Sequence, residues 1–352
     1  MRKVVWLLVA LLGPGWGCTG LFGGEAEEES EKLPAGFEEI VARQDEAIER
    51  ALGWLARSQG RDGSWTAAGQ GNYPCAMTGM AGLAFLAAGH TPGRGKYGTH
   101  LLKAIDFLVR AQDRTGHITA PNEQRSMYGH GFAMTFLAEA YGMEPGAEFG
   151  TRVKDCLDRA IKLTARAQSS LGGWYYSPNS GSDEGSVTIT QVQALRACAN
   201  VGLDVPDRVM DRAIDYIRKS QQPDGGVAYR AGMSGSRPAL SAAGAELLLM
   251  AGLYTAPETK KAIEYVKRNI SAENTRQQHD SYTSFYTAQA LHQIGGASWA
   301  TYFASRRARY LKEQGADGSW NYTGWGASPV LDTAMAVIVL ALPYQYLPLY
   351  QR

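Results

Sequence analysis

The sequence predicts an all-α protein of six helical-hairpin repeats arranged as a double-walled ring, and three features of the 352-residue chain support this. A short turn sequence recurs along the chain. An apolar helical face precedes each copy of that turn. Within each repeat, a charged helix is followed by a nearly uncharged one. The repeats are spaced by 44 to 56 residues, which is enough for two helices each.

The first residues of the chain predict export. Residues 1–17 carry two basic residues and then a short apolar run, as in a signal peptide, and the run is too short to span a bilayer. Cys18 follows, in the position where a bacterial lipoprotein is lipidated, and a free secreted or periplasmic chain is the alternative. Residues 18–38 form an acidic tether, 39–345 the ring, and 346–352 a tail. We therefore expect a lipid-anchored protein of the cell envelope.

The recurring turn is a Gln with a Gly four residues later and, in most copies, a Trp two residues after the Gly. Gly accepts a positive φ, so each copy is expected to end a helix in a tight turn. The Trp is expected to be buried against that turn. The positions with this structural role are Gln59, Gly63 and Trp65; Gln168, Gly172 and Trp174; Gln221 and Gly225; and Gln314, Gly318 and Trp320, with a weaker copy at Gln112. The fifth repeat has Ile270 in place of the Gln.

The two helices of each repeat differ in charge. The helix before the fourth turn has seven charged residues between positions 207 and 219, so one of its faces must meet water. The helix after a turn has almost none: 75–89 has no charge, and 128–143, 238–253 and 328–342 have one each. Such helices are buried on all sides. Charged helices outside apolar ones predict a double-walled ring, and an open stack of hairpins is the alternative.

Composition limits the classes of function. With 35 basic and 34 acidic side chains the net charge is +1, which argues against a nucleic-acid partner. The remaining cysteines, Cys75, Cys156 and Cys198, cannot form a disulfide framework. The six histidines show no paired spacing typical of metal ligands. We therefore predict neither a metal nor a cofactor.

The turns and the inner helices resemble those of the squalene-hopene cyclase and protein prenyltransferase β-subunit superfamily. The segments that carry this likeness are the Gln-x-x-Asp-Gly-x-Trp turns, residues 281–291 and residues 332–336. Exported single-domain prenyltransferase/squalene oxidase repeat proteins are the most similar, through residues 128–133, 186–188 and 346–348. The resemblance covers about residues 40–345. It implies an (α/α)6 toroid whose apolar inner helices point their N-terminal ends at a central cavity.

The catalytic groups of that superfamily are largely missing. Squalene-type cyclases use an Asp-x-Asp-Asp-Thr-Ala motif, and residues 329–334 here are Pro-Val-Leu-Asp-Thr-Ala; of the three Asp residues only the last, Asp332, is kept, and Pro329 stands in the position of the proton donor. Protein prenyltransferases bind zinc through Asp, Cys and His, and the matching positions here are Asp280, Tyr282 and Asp332, a poor zinc set. We therefore expect no cyclase chemistry, with Asp332 and Asp280 as the candidates for any catalysis.

A ligand site is expected at one mouth of the ring, where ionisable and aromatic residues interrupt the uncharged inner wall. Its predicted members are Tyr128, His130, His279, Asp280, Tyr282 and Asp332. Each has a structural alternative: the first two can cap and pack a helix start, Asp280 can be an N-cap, and Asp332 can bond a neighbouring helix end.

The predicted function is recognition of an apolar or extended ligand, or of a protein partner, in the central cavity. One alternative is an isoprenoid-processing enzyme with altered catalytic residues. Another is a polysaccharide lyase or a structural module of the cell surface. The lyase would need carboxylates near the third turn, where only Asp183 and Glu184 occur, in a loop expected to be solvated.

Overall fold

The computed structural model describes residues 37–67, 71–143, 146–270, 280–322 and 328–351. Within these ranges the chain forms twelve α-helices and no β-strand beyond isolated bridges. In chain order the helices are α1 (Phe37–Ser58), α2 (Pro74–Ala87), α3 (Gly98–Arg110), α4 (Met127–Tyr141), α5 (Ala147–Ala167), α6 (Gly185–Asn200), α7 (Asp207–Ser220), α8 (Pro238–Met250), α9 (Pro257–Asn269), α10 (Asp280–Ile294), α11 (Gly296–Glu313) and α12 (Pro329–Ala341). The 3-10 turns Leu342–Tyr344 and Pro348–Tyr350 follow.

The even-numbered helices form a closed inner ring. Each packs against the next, from α2 through α4, α6, α8 and α10 to α12, and α12 packs back against α2. The odd-numbered helices form the outer wall, and each packs against the inner helix that precedes it, with α1 on α12. The inner helices are buried on nearly every side, because their sequences lack a polar face. The structure is therefore the closed ring and not the open stack.

The Gln of a turn forms hydrogen bonds that join one repeat to the next. The Gln59 amide Nε2 donates to the carbonyl of Gly63 in its own turn and to that of His100 in the next outer helix, both at 2.9 Å. The amides of Gln112, Gln168, Gln221 and Gln314 make the same pair of bonds. Gln314 reaches the carbonyl of Ala47 in α1 at 2.8 Å, so the last turn joins the first helix.

The turn glycines fill positions that no other residue fits without strain. Gly318 has φ +97°, and a Cβ there would lie 2.5 Å from the carbonyl oxygen of Arg50 in α1. Gly63 has φ +96°, and a Cβ there would lie 2.3 Å from the carbonyl oxygen of Lys103. The indole of Trp65 is buried under its turn and donates to the carbonyl of Leu55 at 2.8 Å. Among the described residues, no helix is long and apolar enough to cross a bilayer.

Candidate functional site

Tyrosines from opposite sides of the ring meet at the mouth, the face that carries the turns and the N-terminal ends of the inner helices. The hydroxyl of Tyr128 on α4 contacts Ser186 Oγ and lies 3.3 Å from Glu184 Oε1. The hydroxyl of Tyr282 on α10 donates to the Ser186 carbonyl at 3.4 Å. Since α4 and α10 face each other across the ring, both side chains reach the axis. We call Tyr128, Glu184, Ser186 and Tyr282 the mouth cluster.

Glu184 is the centre of this cluster and was missed as a site residue. It is the N-cap of α6, and its carboxylate accepts from the backbone N–H groups of Ser186 at 3.0 Å and Val187 at 2.6 Å. Burial raises the pKa of Glu184, while these bonds oppose the rise. The expectation that Asp183 and Glu184 lie in a solvated loop was wrong, because capping draws Glu184 into the protein and Asp183 accepts from Ser169 Oγ at 2.9 Å.

Half-buried aromatic and basic side chains surround the mouth cluster and form what we call the rim. The rim residues are Arg125, Tyr175, Tyr176, Tyr229 and Arg230. The Tyr176 ring lies 4.3 Å from that of Tyr175 and 6.0 Å from that of Tyr128, measured between centroids. The guanidinium of Arg125 lies 4.7 Å from the Tyr176 ring centre, and Arg230 lies 5.0 Å from that of Tyr175. The rim thus offers apolar ring faces beside hydroxyl and guanidinium groups.

His130 is fully buried and hydrogen-bonded on both ring nitrogens. Its Nδ1 accepts from the backbone N–H of Ile118 at 3.1 Å, so the proton lies on Nε2, which is 3.0 Å from Thr164 Oγ1. Burial lowers its pKa to about 3. In the other repeats a hydroxyl accepts the equivalent turn N–H: those of Thr78, Thr188, Ser241 and Thr333. His130 is therefore a variant of a repeated structural contact.

Asp280 faces the outer wall. Its carboxylate pairs with Arg306 at 3.3 Å and Arg309 at 3.0 Å, both on α11, and Arg306 is fully buried. A buried guanidinium requires such a partner. His279 lies outside the described residues.

Asp332 is 2% exposed and has both carboxylate oxygens engaged. Oδ1 accepts from Ser281 Oγ at 2.5 Å, and Oδ2 accepts from the backbone N–H of Tyr322 at 3.0 Å. Burial raises the pKa of Asp332 to about 6, and these two bonds oppose the rise. The carboxylate thereby links the start of α12 to α10 and to the sixth turn.

Polar side chains bridge the interior of the ring below the mouth. The Tyr286 hydroxyl donates to Gln193 Oε1 at 3.2 Å, and the Gln193 amide donates to Gln289 Oε1 at 2.9 Å. These bonds join α6 to α10, which are not neighbours in the ring. Tyr282 packs on Tyr286 with 4.7 Å between ring centres, so the bridge lies directly beneath the mouth cluster.

The described residues contain no group of three or more His, Cys, Asp or Glu side chains placed to hold a metal ion. The positions that match the zinc ligands of prenyltransferases make other contacts. Asp280 pairs with two arginines and Asp332 accepts from Ser281 and Tyr322.

Two curated proteins share sequence with part of the chain, and no family model matches it. A drimenyl diphosphate synthase of Streptomyces showdoensis is 28% identical over 198 residues, which are 55% of this chain and 34% of that protein. A drimenyl diphosphate synthase of Streptantibioticus cattleyicolor is 31% identical over 140 residues, 39% of this chain and 25% of that protein. The chain thus spans about a third or less of these relatives.

Solved structures share the fold. The type II terpene cyclase MstE from Scytonema, in complex with merosterolic acid A, has a TM-score of 0.61 and 16% identity over 88% of this chain and 100% of that one. The α-1,6-mannanase GH76A of Salegentibacter sp. HEL1_6 has a TM-score of 0.62 and 8% identity over 86% of this chain and 99% of that one. At such identities the likeness shows the fold alone. The predicted α/α toroid is confirmed, and the predicted likeness to the squalene cyclase and prenyltransferase superfamily is confirmed as a likeness of fold.

Proposed function

We propose that the chain binds an extended ligand at the mouth of the toroid and does not carry out cyclase chemistry. The observation that carries this proposal is the bridge of Tyr286, Gln193 and Gln289 between α6 and α10 inside the ring. A cyclase must enclose the whole reacting chain away from water. Here hydrogen-bonded side chains span part of the interior below the mouth cluster, which favours the mouth and rim as the place for a ligand.

The hydrogen bonds of Asp332 and the ion pairs of Asp280 support the same proposal. Protonation of an alkene needs a carboxylic acid whose proton points at the substrate. Asp332 has both oxygens bonded to protein donors, and Asp280 is held between two arginines. Neither is placed to donate a proton into the axis.

The chemistry of the rim narrows the ligand class. Tyr175 and Tyr176 present ring faces that bury apolar surface, while their hydroxyls and the stacked guanidinium groups bind polar atoms. A ligand with both apolar and polar faces fits this surface better than a pure hydrocarbon. Such a ligand includes a prenyl chain with a polar head, a sugar chain, or a segment of a partner protein.

Native mass spectrometry of the protein purified from its own envelope tests whether a ligand co-purifies. Titrations with geranylgeranyl diphosphate and with mannotriose, followed by intrinsic fluorescence, then compare the two chemistries. Tyr282→Ala should weaken binding about tenfold or more by removing a ring from the mouth. Tyr254→Ala is the matched control, since Tyr254 is 52% exposed beyond the end of α8, on the face opposite the mouth. Equal binding by both variants would contradict the proposal.

An isoprenoid-processing enzyme is the second candidate, favoured by the two partial relatives named as drimenyl diphosphate synthases. Asp332 is then the acid to test, because its pKa of about 6 lets it hold a proton in mildly acidic solution. Incubation with prenyl diphosphates of increasing chain length, followed by gas chromatography, detects any cyclised product. A product that Asp332→Asn abolishes would establish this function in place of the first.

We also propose that the protein is exported and anchored through lipidated Cys18. Cys18 and the tether up to residue 36 lie outside the described residues.

A further inference from the structure

The last residues of the chain close the end of the ring opposite the mouth, which we call the base. Gln345, with φ +52°, reverses the chain after α12. The 3-10 turn Pro348–Tyr350 then packs on α6, with Leu347, Leu349 and Tyr350 buried. The Gln293 amide of α10 donates to the carbonyl of Gln351 at 3.2 Å. We call residues 345–351 the base plug.

Two buried carboxyl groups lie next to this plug. Glu139 on α4 is 1% exposed and Glu246 on α8 is 0% exposed. None of their four oxygens has a hydrogen-bond partner of ordinary geometry among the described residues. Unpaired buried carboxylates are costly, and proteins avoid the cost by keeping such groups protonated. The closed base is therefore a state in which both carboxyls are neutral.

Among the described residues, no basic side chain acts on either carboxyl. Around Glu139 lie the Cys198 thiol of α6, the backbone N–H of Leu349 and the Tyr350 phenol. Around Glu246 lie the phenols of Tyr286 on α10 and Tyr350. Burial raises the pKa of Glu139 to about 7, with the Leu349 N–H opposing the rise, and raises that of Glu246 to about 8. Tyr350 of the plug is thus the residue that lies near both groups.

We propose that the base plug is a proton-controlled latch, closed while Glu139 and Glu246 carry their protons and released when these carboxyls ionise. Ionisation places negative charge against the apolar Leu349 and the ring of Tyr350. Displacing the plug lets water reach both carboxylates. Since each inner helix packs on the next and Gln contacts join the repeats at five of the turns, release opens the base without unfolding the ring.

Hydrogen exchange of the full chain, followed by mass spectrometry from about pH 6 to about pH 9 and corrected for the intrinsic pH dependence, tests the latch. Opening of the base plug should rise at least about tenfold over this range, while the inner helices keep their protection. A plug whose protection does not change would overturn the proposal. So would a loss of protection that is uniform over the whole ring, because it reports global unfolding.

Variants test whether ionisation of these two carboxyls, and not of another group, opens the plug. Glu139→Gln combined with Glu246→Gln cannot ionise, so its plug should stay protected at the highest pH. Glu264→Gln is the matched control, because Glu264 lies on the outer wall with its side chain 59% exposed, and it should behave as the wild type. A double variant that opens like the wild type would overturn the proposal. If the double variant fails to fold, the wild-type pH series still decides.

Discussion

Replacing Glu246 by Gln should remove the pH dependence of part of the protein's stability, so that the stability difference between the variant and the wild type changes sign with pH. The pKa of Glu246 rises from the ordinary 4.5 to about 8 on burial. Folding therefore favours the protonated form. The stability that depends on that proton is complete below pH 4.5 and is lost as the pH rises through about 8. At about 1.4 kcal/mol per pKa unit, the gap between 4.5 and 8 corresponds to a loss on the order of 5 kcal/mol.

The Gln side chain keeps the shape and cannot ionise. Its buried amide lacks partners, which costs about 1 to 3 kcal/mol at every pH. Near pH 5 the variant should thus be slightly less stable than the wild type. Near pH 9 it should be more stable by roughly 2 to 4 kcal/mol, because only the wild type must bury or protonate a carboxylate.

Denaturant unfolding followed by circular dichroism, at several pH values between about 5 and 9, measures this difference. Glu264→Gln, on the outer wall, should show no change of sign over the same range. A stability difference between Glu246→Gln and the wild type that stays constant with pH would refute the reasoning. It would mean that the Glu246 carboxyl already has a partner or water while the base is closed.

Four further variants test the other structural claims. Gly318→Ala should destabilise the ring by more than about 1 kcal/mol in thermal melts, and by more than Gly95→Ala, which shares a positive φ but has no atom within 4 Å of the added Cβ. His130→Thr should be more stable than His130→Ala by about 1 kcal/mol, since a hydroxyl accepts the turn N–H in the other repeats; equal melts would contradict that equivalence. Asp332→Asn should cost about 1 to 3 kcal/mol in a melt and leave ligand binding intact, and altered binding would return Asp332 to the site. Cys18→Ser should move the protein from the membrane fraction to the soluble one, and a wild type that is already soluble would remove the lipid anchor.

The fold could be predicted because its signals are local and repeated. Gly in the turn, the apolar face before it and the uncharged helix after it each follow from elementary backbone and burial physics. Ring closure could not be predicted in the same way. The contacts that join the ends include the bond from Gln314 to the carbonyl of Ala47, and a backbone acceptor cannot be recognised from the sequence. Closure was therefore open between two geometries until the structure placed α12 against α2.

The site could be predicted only in part. Tyr128 and Tyr282 stood out as phenols in apolar helices, and the structure brings both to Ser186. The structural role of His130 was hidden because the acceptors in other repeats are hydroxyls, at offsets from the turn that differ by a residue or two. Glu184 was missed because it lies among Gly, Ser and Asp, a composition that usually marks a solvated loop. The hydrogen bonds of the helix cap bury Glu184 despite this composition, and the sequence alone does not show which acid of the loop makes the cap.

Four inner helices each carry one acid, near the start of the helix in α10 and α12 and beyond its middle in α4 and α8, and this depth decides what the acid does. Asp332 lies one turn into α12, where the turn and the neighbouring helix start offer free donors, and it binds two of them. Glu139 and Glu246 lie beyond the middle of their helices, where every backbone N–H is already used within the helix. No N–H of their own helices remains for them, and none of their four oxygens has a hydrogen-bond partner of ordinary geometry among the described residues, so burial favours the protonated form of both carboxyls. The acids at the two ends of the toroid therefore differ: Asp332 and Asp280 near the mouth are hydrogen-bonded or ion-paired, whereas Glu139 and Glu246 near the base have no partner of ordinary geometry among the described residues.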